Sequence, residues 1–215
     1  MRLLLARHGE SICGVEGIVG GARGCTGLTE RGLAQAAALR DRLVADGLSI
    51  DVVLSSTFPR AAQTADVVAE ALRLPVERLE ALCERIPGEA DGMTWDVWRE
   101  RYEQHHSQLA ALSPGGEDVA AFFERVASIL DDLRERFEGQ TVLACTHGGV
   151  IFGSVRTLLS SDPTASWLQA DFTSITEWTH NGSRWTLVRL NDVSHLAGTD
   201  LIKPTKRPNW PQVPA

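Results

Sequence analysis

The chain has 215 residues, with 28 acidic against 21 basic side chains and a formal charge of −7. At 43% hydrophobic and 23% charged, it has the apolar material for one compact core, which excludes disordered and collagen-like architectures. A net negative surface repels extended polyanions, so neither nucleic acid nor an acidic membrane is an expected partner unless a local basic patch overrides the average.

The first element is the apolar run Leu3 to Ala6, which stops at Arg7-His8-Gly9-Glu10. Such a run fits a strand buried on both faces, with polar chemistry starting at its carboxyl end. A glycine-rich stretch follows, and then Thr29 reads as the N-cap of a helix with Leu33, Ala36, Leu39 and Leu43 on its apolar face, ending near Gly47. Asp51 to Leu54 reads as a second buried strand. It passes through Ser55-Ser56-Thr57 into a helix that has Pro59 in its first turn. Residues 84 to 114 mix glycines, Trp95, Trp98, Tyr102 and the pair His105-His106 with no clean period, which predicts a partly helical excursion over one face.

Glu117-Asp118 then start the strongest helical pattern, with Val119, Phe122, Val126, Ile129, Leu133 and Phe137 on one stripe. Thr141 to Cys145 is another apolar strand, and it runs into Thr146-His147-Gly148-Gly149 and a further helix. Thr173 to Trp178 and Arg184 to Leu190, joined across Asn181-Gly182, read as an antiparallel hairpin. The alternation of strands and helices predicts an α/β fold: a three-layer α/β/α sandwich with a mostly parallel central sheet. One domain is expected over 1–198, followed by a proline-rich tail, 199–215, that is extended or loosely attached. The four cysteines show no CxxC spacing and are expected to be reduced. No window approaches the ~20 apolar residues of a membrane span, so the expected location is cytoplasmic.

In open α/β sheets ligands bind beyond the carboxyl ends of the strands, and His8 and His147 each directly follow a strand, with Arg60 close after another. Arg7 and Arg60 beside two imidazoles make a positive pocket on an acidic protein, an arrangement suited to a phosphate.

The ordered set Arg7-His8-Gly9-Glu10-Ser11, Leu28-Thr29-Glu30 with Gly32, Gln35 and Ala36, Ser55-Ser56 with Arg60-Ala61 and Gln63-Thr64-Ala65, Glu84, and Thr146-His147-Gly148 resembles the histidine phosphatase superfamily, in its phosphoglycerate mutase-like branch. The resemblance runs from residue 2 to about residue 192 and implies a phosphoglycerate mutase-like fold whose excursion forms a lid. It implies a phosphohistidine mechanism with His8 as nucleophile, and Arg7, Arg60 and His147 holding the phosphoryl oxygens. Glu84 would be the proton donor and acceptor, with Glu89 and Asp91 as nearby alternatives. Ser11 and Gly148 are implied as further phosphate contacts. No metal and no cofactor is expected.

The sequence departs from the family pattern at Gly14, where an asparagine is usual. Ser11 or Arg23 is expected to compensate. Trp95, Trp98 and Tyr102 are equally compatible with core and pocket, whereas His105, His106, His180 and His195 read as structural or exposed.

The expected activity is hydrolysis of a small phosphorylated metabolite. A phosphoglycerate mutase is the alternative, disfavoured because Glu84 is followed by Arg85-Ile86-Pro87-Gly88 rather than the Arg-His-Tyr-Gly of the glycolytic mutases. A phospho-ligand binding module with weak catalysis is the third reading, and a homodimer is left open.

Overall fold

The computed structural model describes residues 1–105, 107, 110–159 and 168–202. In chain order these form β1 (Arg2–Arg7), α1 (Ile12–Glu16), α2 (Glu30–Ala45), β2 (Val52–Ser56), α3 (Pro59–Leu72), β3 (Val76–Leu79), α4 (Trp95–Tyr102), α5 (Val119–Arg136), β4 (Thr141–Thr146), α6 (Gly148–Leu159), β5 (Ile175–His180) and β6 (Trp185–Asp192). The sheet order is β3-β2-β4-β1-β5-β6. The first four strands are mutually parallel, and the β5–β6 hairpin adds on antiparallel beside β1.

Alternation along the central strands sorts the core into two layers. Leu3, Leu5, Val142 and Ala144 face α5 and α6 through Phe122, Val126, Leu130 and Ile151. Leu4, Ala6, Leu143 and Cys145 face the opposite way, onto Leu39 and Leu43 of α2 and Ala65 and Val68 of α3. Because both faces are covered, β1 and β4 have no polar side, which is why they read as continuous apolar runs. The expected three-layer α/β/α sandwich is therefore the observed one.

Helix signals were well placed in sequence. Thr29 caps α2 by accepting from the Gly32 N–H, Pro59 occupies the first turn of α3, and Asp118 caps α5 through the Ala121 N–H. Two elements escaped the sequence reading. One is the short helix α1, capped by Ser11 and ended by Gly17 in the left-handed region, inside a stretch read as loop. The other is edge strand β3, whose Val-Glu-Arg-Leu sequence has two exposed polar centres.

The excursion at 84–114 is held together internally. Trp98 is buried with Val19 and Ala90, its indole N–H donates to the Leu112 carbonyl at 2.7 Å, and Tyr102 packs against the same cluster. Trp98 and Tyr102 thus belong to a small core of the excursion's own. Trp95 meets Trp98 edge to face, with 5.6 Å between ring centroids. The glycine-rich loop is zipped to the excursion by backbone bonds: Val19 N–H to Met93, Gly92 N–H to Val19, and Trp95 N–H to Gly17.

The proline-rich tail beyond residue 202, like His106 and the side chain of His105, lies outside the described residues. The first tail residues are not loose. Arg31 donates to the Asp200 carbonyl and Gln35 to the Leu201 carbonyl, tying them to α2. All four cysteines are buried and free. Among the described residues no helix is long and apolar enough to cross a membrane.

His195 has the structural role read for it. Its Nε2 lies 3.1 Å from the Thr173 hydroxyl, and burial lowers its pKa from 6.5 to about 4. In the folded state it therefore stays neutral where the unfolded chain protonates, so its contribution to stability is lost as pH falls from about 6.5 towards 4. Urea denaturation across that range should show wild type losing about 1–3 kcal/mol more than His195→Asn; parallel curves for the two proteins would contradict this.

Candidate active site

The parallel register aligns the carboxyl ends of three strands, pairing Arg7 with Thr146 and Ser55 with Cys145. The residues that follow, His8, Ser56 and His147, are thereby delivered to one edge of the sheet. The turn after β1 is clamped against the starts of two helices. The Gly9 N–H donates to Thr64 Oγ1 at 3.1 Å, the Glu10 N–H to Gln35 Oε1 at 2.8 Å, and the Thr29 N–H to the Glu10 carbonyl at 3.0 Å. A Cβ on Gly32 would lie 2.1 Å from the Glu10 carbonyl oxygen, so backbone meets backbone here and only glycine fits.

His8 is 5% exposed. Its Nδ1 lies 2.7 Å from the Gly9 carbonyl, which can only accept, so Nδ1 carries the proton and donates. Nε2 is left with its lone pair, and Arg60 Nε donates to it at 3.1 Å. Arg60 is itself buried, with Nη1 donating to the Gly20 carbonyl at 2.7 Å and its guanidinium 5.2 Å from the Phe58 ring centroid. The ring of His147, wholly buried, lies 5.1 Å from that of His8. Its Nε2 is 2.8 Å from Ser56 Oγ.

Arg7 completes the cationic side. Nη1 donates to the Ala170 carbonyl at 2.5 Å, and the guanidinium stacks 4.2 Å from the centroid of Phe172. Burial lowers its pKa to about 10, against the opposing field of Glu84, so it remains charged at neutral pH. Both histidines are held well below the usual imidazole range, first by burial and then by Arg60 and its neighbours. The site thus pairs two fixed cations with two neutral imidazoles. That combination attracts a phosphate while leaving a nitrogen lone pair unprotonated.

Glu84 follows the turn after β3 and reaches the head of α6. Its Oε2 accepts from the Gly149 N–H and its Oε1 from the Arg85 N–H, both at 3.0 Å. Two neutral imidazoles, two guanidiniums and a carboxylate thus converge at the carboxyl ends of the strands, a set of groups able to bind a phosphate.

Residues 3–193 match the profile of the histidine phosphatase superfamily, branch 1. This chain belongs to that superfamily. The adenosylcobalamin/α-ribazole phosphatase of Escherichia coli K12 is 32% identical over 178 residues, covering 78% of this chain and 83% of the relative. A 2,3-bisphosphoglycerate-dependent phosphoglycerate mutase of Methylobacterium sp. 4-46 is 33% identical over 166 residues, 73% of this chain and 79% of that one. The solved α-ribazole phosphatase of Shigella flexneri superposes with a TM-score of 0.80 at 30% identity, over 89% of this chain and 96% of its own. The protein is an enzyme of the histidine phosphatase type.

Several expected contacts of this histidine phosphatase are arranged differently. The Ser11 hydroxyl is buried as the α1 cap, accepting from the Gly14 N–H at 3.3 Å and from Cys13 Sγ at 3.4 Å. The Gly149 N–H serves Glu84, and a Cβ on Gly148, implied as a phosphate contact, would touch only the Arg7 side chain at 3.7 Å. Arg23 is largely exposed and forms, with Ala22, Phe58, Ile86, Pro87, Gly88 and Asp91, a cleft of about 290 Å³.

Asp91, considered in sequence as an alternative acid, is instead a structural anion. It accepts from the backbone N–H groups of Gly21, Arg23 and Gly24. Glu89 lies near the Tyr102 hydroxyl, 3.4 Å away. Phe58, on which Arg60 rests and whose ring is 5.4 Å from that of His147, went unread, although its place directly before Pro59 marks it as a strand-end residue. Among the described residues no group of three or more His, Cys, Asp or Glu side chains is placed to hold a metal ion.

Gly149 tests the placement of Glu84. A Cβ there would lie 2.1 Å from Glu84 Oε1, so Gly149→Ala must displace the carboxylate. The variant should remain folded with inorganic phosphate affinity within about threefold of wild type, while kcat falls by about 100-fold. Steady-state kinetics beside phosphate binding by calorimetry measures both, and an unchanged kcat would place Glu84 outside the reaction.

Proposed function

We propose that this protein is a metal-independent phosphomonoesterase that hydrolyses a small phosphorylated metabolite through a phosphohistidine on His8, within one catalytic domain over 1–198. The supporting observation is the fixed tautomer of His8. With Nδ1–H held by the Gly9 carbonyl and the ring kept neutral, Nε2 keeps its lone pair, which accepts from Arg60 Nε and would be released to phosphorus when that guanidinium turns to a phosphoryl oxygen.

In the first step Nε2 attacks phosphorus and the bond to the ester oxygen breaks. Glu84 gives its proton to the leaving oxygen, while Arg7, Arg60 and His147 bind the three equatorial oxygens as their charge rises. In the second step water attacks phosphorus from the side the leaving group vacated, Glu84 takes its proton, and the P–N bond breaks. Inorganic phosphate departs and His8 is again neutral.

The mutase reading draws support from the similarity to a phosphoglycerate mutase. A mutase, however, must hold a second phosphate on its intermediate and exclude water. Among the described residues the cleft beside Phe58 is lined mainly by Ala22, Ile86, Pro87 and Gly88, with Arg23 as its cationic and Asp91 as its acidic side chain. That lining favours a leaving group with an apolar face and transfer to water.

The purified protein in EDTA should release phosphate from a generic aryl phosphate, with turnover abolished in His8→Ala. Absence of turnover across sugar, acid and nucleotide phosphates would sink the proposal, and interconversion of phosphoglycerates faster than phosphate release would select the mutase. Glu84→Gln should lower turnover of an alkyl phosphate about 100-fold or more and of an activated aryl phosphate much less, because only the poor leaving group depends on protonation. Equal losses on the two substrates would remove Glu84 from the acid role.

A further inference from the structure

His147 is buried, and the two nitrogens of its ring are treated differently. Nε2 lies 2.8 Å from Ser56 Oγ, whereas Nδ1 is buried with no hydrogen-bond partner among the described residues. The ring stands 5.1 Å from His8 and is kept neutral by burial and by the charges of Arg60, Arg7 and Arg125. A neutral imidazole has one proton. On Nδ1 it makes that nitrogen a donor; on Nε2 it leaves Nδ1 with a lone pair that would repel a phosphoryl oxygen.

The choice falls to Ser56, which is wholly buried at the end of β2. Its oxygen already accepts the Phe58 N–H at 3.1 Å. Its single proton can go to His147 Nε2 or to Cys83 Sγ, which is 3.2 Å away. The thiol has another partner, Thr57 Oγ1 at 3.1 Å, and sulfur is a weak acceptor beside an imidazole nitrogen.

We infer that Ser56 is a positioning residue of the phosphatase reaction, its hydroxyl donating to Nε2 of His147 and so fixing the tautomer that presents Nδ1–H to the transferred phosphoryl group. The inference rests on the phosphatase reading above for the identity of that group. Ser56 does not touch substrate in this scheme. It sets the direction in which His147 can donate, and the Phe58 N–H and the Cys83–Thr57 pair set the direction in which Ser56 can.

The decisive measurement is the tautomer itself. In protein labelled with 15N-histidine, the two-bond 15N–1H spectrum of His147, assigned by its loss in His147→Asn, should show a protonated Nδ1 and a bare Nε2. In Ser56→Ala that pattern should disappear, kcat/KM should fall about 10- to 100-fold, and inorganic phosphate should bind more weakly. Ser56→Thr, which keeps the hydroxyl, should restore the wild-type tautomer and most of the rate.

A proton on Nε2 in the wild type would overturn the inference, whether or not the alanine variant folds. So would Ser56→Ala with a slowed reaction and an unaltered tautomer, since that is the mark of a merely structural residue. Failure of the phosphatase reading looks different: the wild type would show no turnover on any phosphate ester, while the spectrum would still report the tautomer.

Discussion

The guanidinium of Arg60 is the contact on which the site is built. One edge donates to His8 Nε2 and another to the Gly20 carbonyl, while the face lies near Phe58. Three separate stretches, the end of β1, the glycine-rich loop and the start of α3, therefore depend on one buried cation. Burying a charge is costly unless it is paired, and here the hydrogen bonds go to a neutral nitrogen and a carbonyl, with the Cys25 thiol close by, rather than to a carboxylate. The arrangement leaves room for an anion as a further partner. Burial first, and the Arg60 charge after it, keep both imidazoles neutral.

Much of this was legible in sequence because the chemistry lies at strand ends. Leu3 to Ala6 and Val142 to Cys145 are apolar on both faces, so the polar pairs that follow them, Arg7-His8 and Thr146-His147, stand out sharply. The helices were legible through their caps, Thr29, Pro59 and Asp118. What stayed hidden has a physical reason in each case. Helix α1 is a single turn made by Ser11 and Gly17 in a segment too short for a periodic pattern. Strand β3 sits at the sheet edge, where Glu77 and Arg78 can face water.

The site residues divide in the same way. The positions of His8, Arg7, Arg60, His147 and Glu84 follow from motif order, and the fold brings them together. The uses of Ser11 and Asp91 did not follow, because a hydroxyl or carboxylate that satisfies local backbone N–H groups has the same sequence appearance as one that awaits a ligand. Ser56 was visible only as part of a serine pair. Its significance comes from His147, just after β4 and ninety-one positions away, which no local pattern reports. The acidic net charge, too, gave a correct average and said nothing of the small cationic pocket within it.

The carboxylate of Asp91 fastens the loop at 21–24 to the excursion that carries Ile86, Pro87 and Gly88, and these are the two walls of the cleft beside Phe58. The walls are consequently one mechanical piece, although they come from distant parts of the chain. An altered residue in one wall changes the footing of the other. Divergence towards a different cleft would have to move both together or replace the anchor, and through Phe58, which also touches Arg60 and His147, it would be felt at the imidazoles.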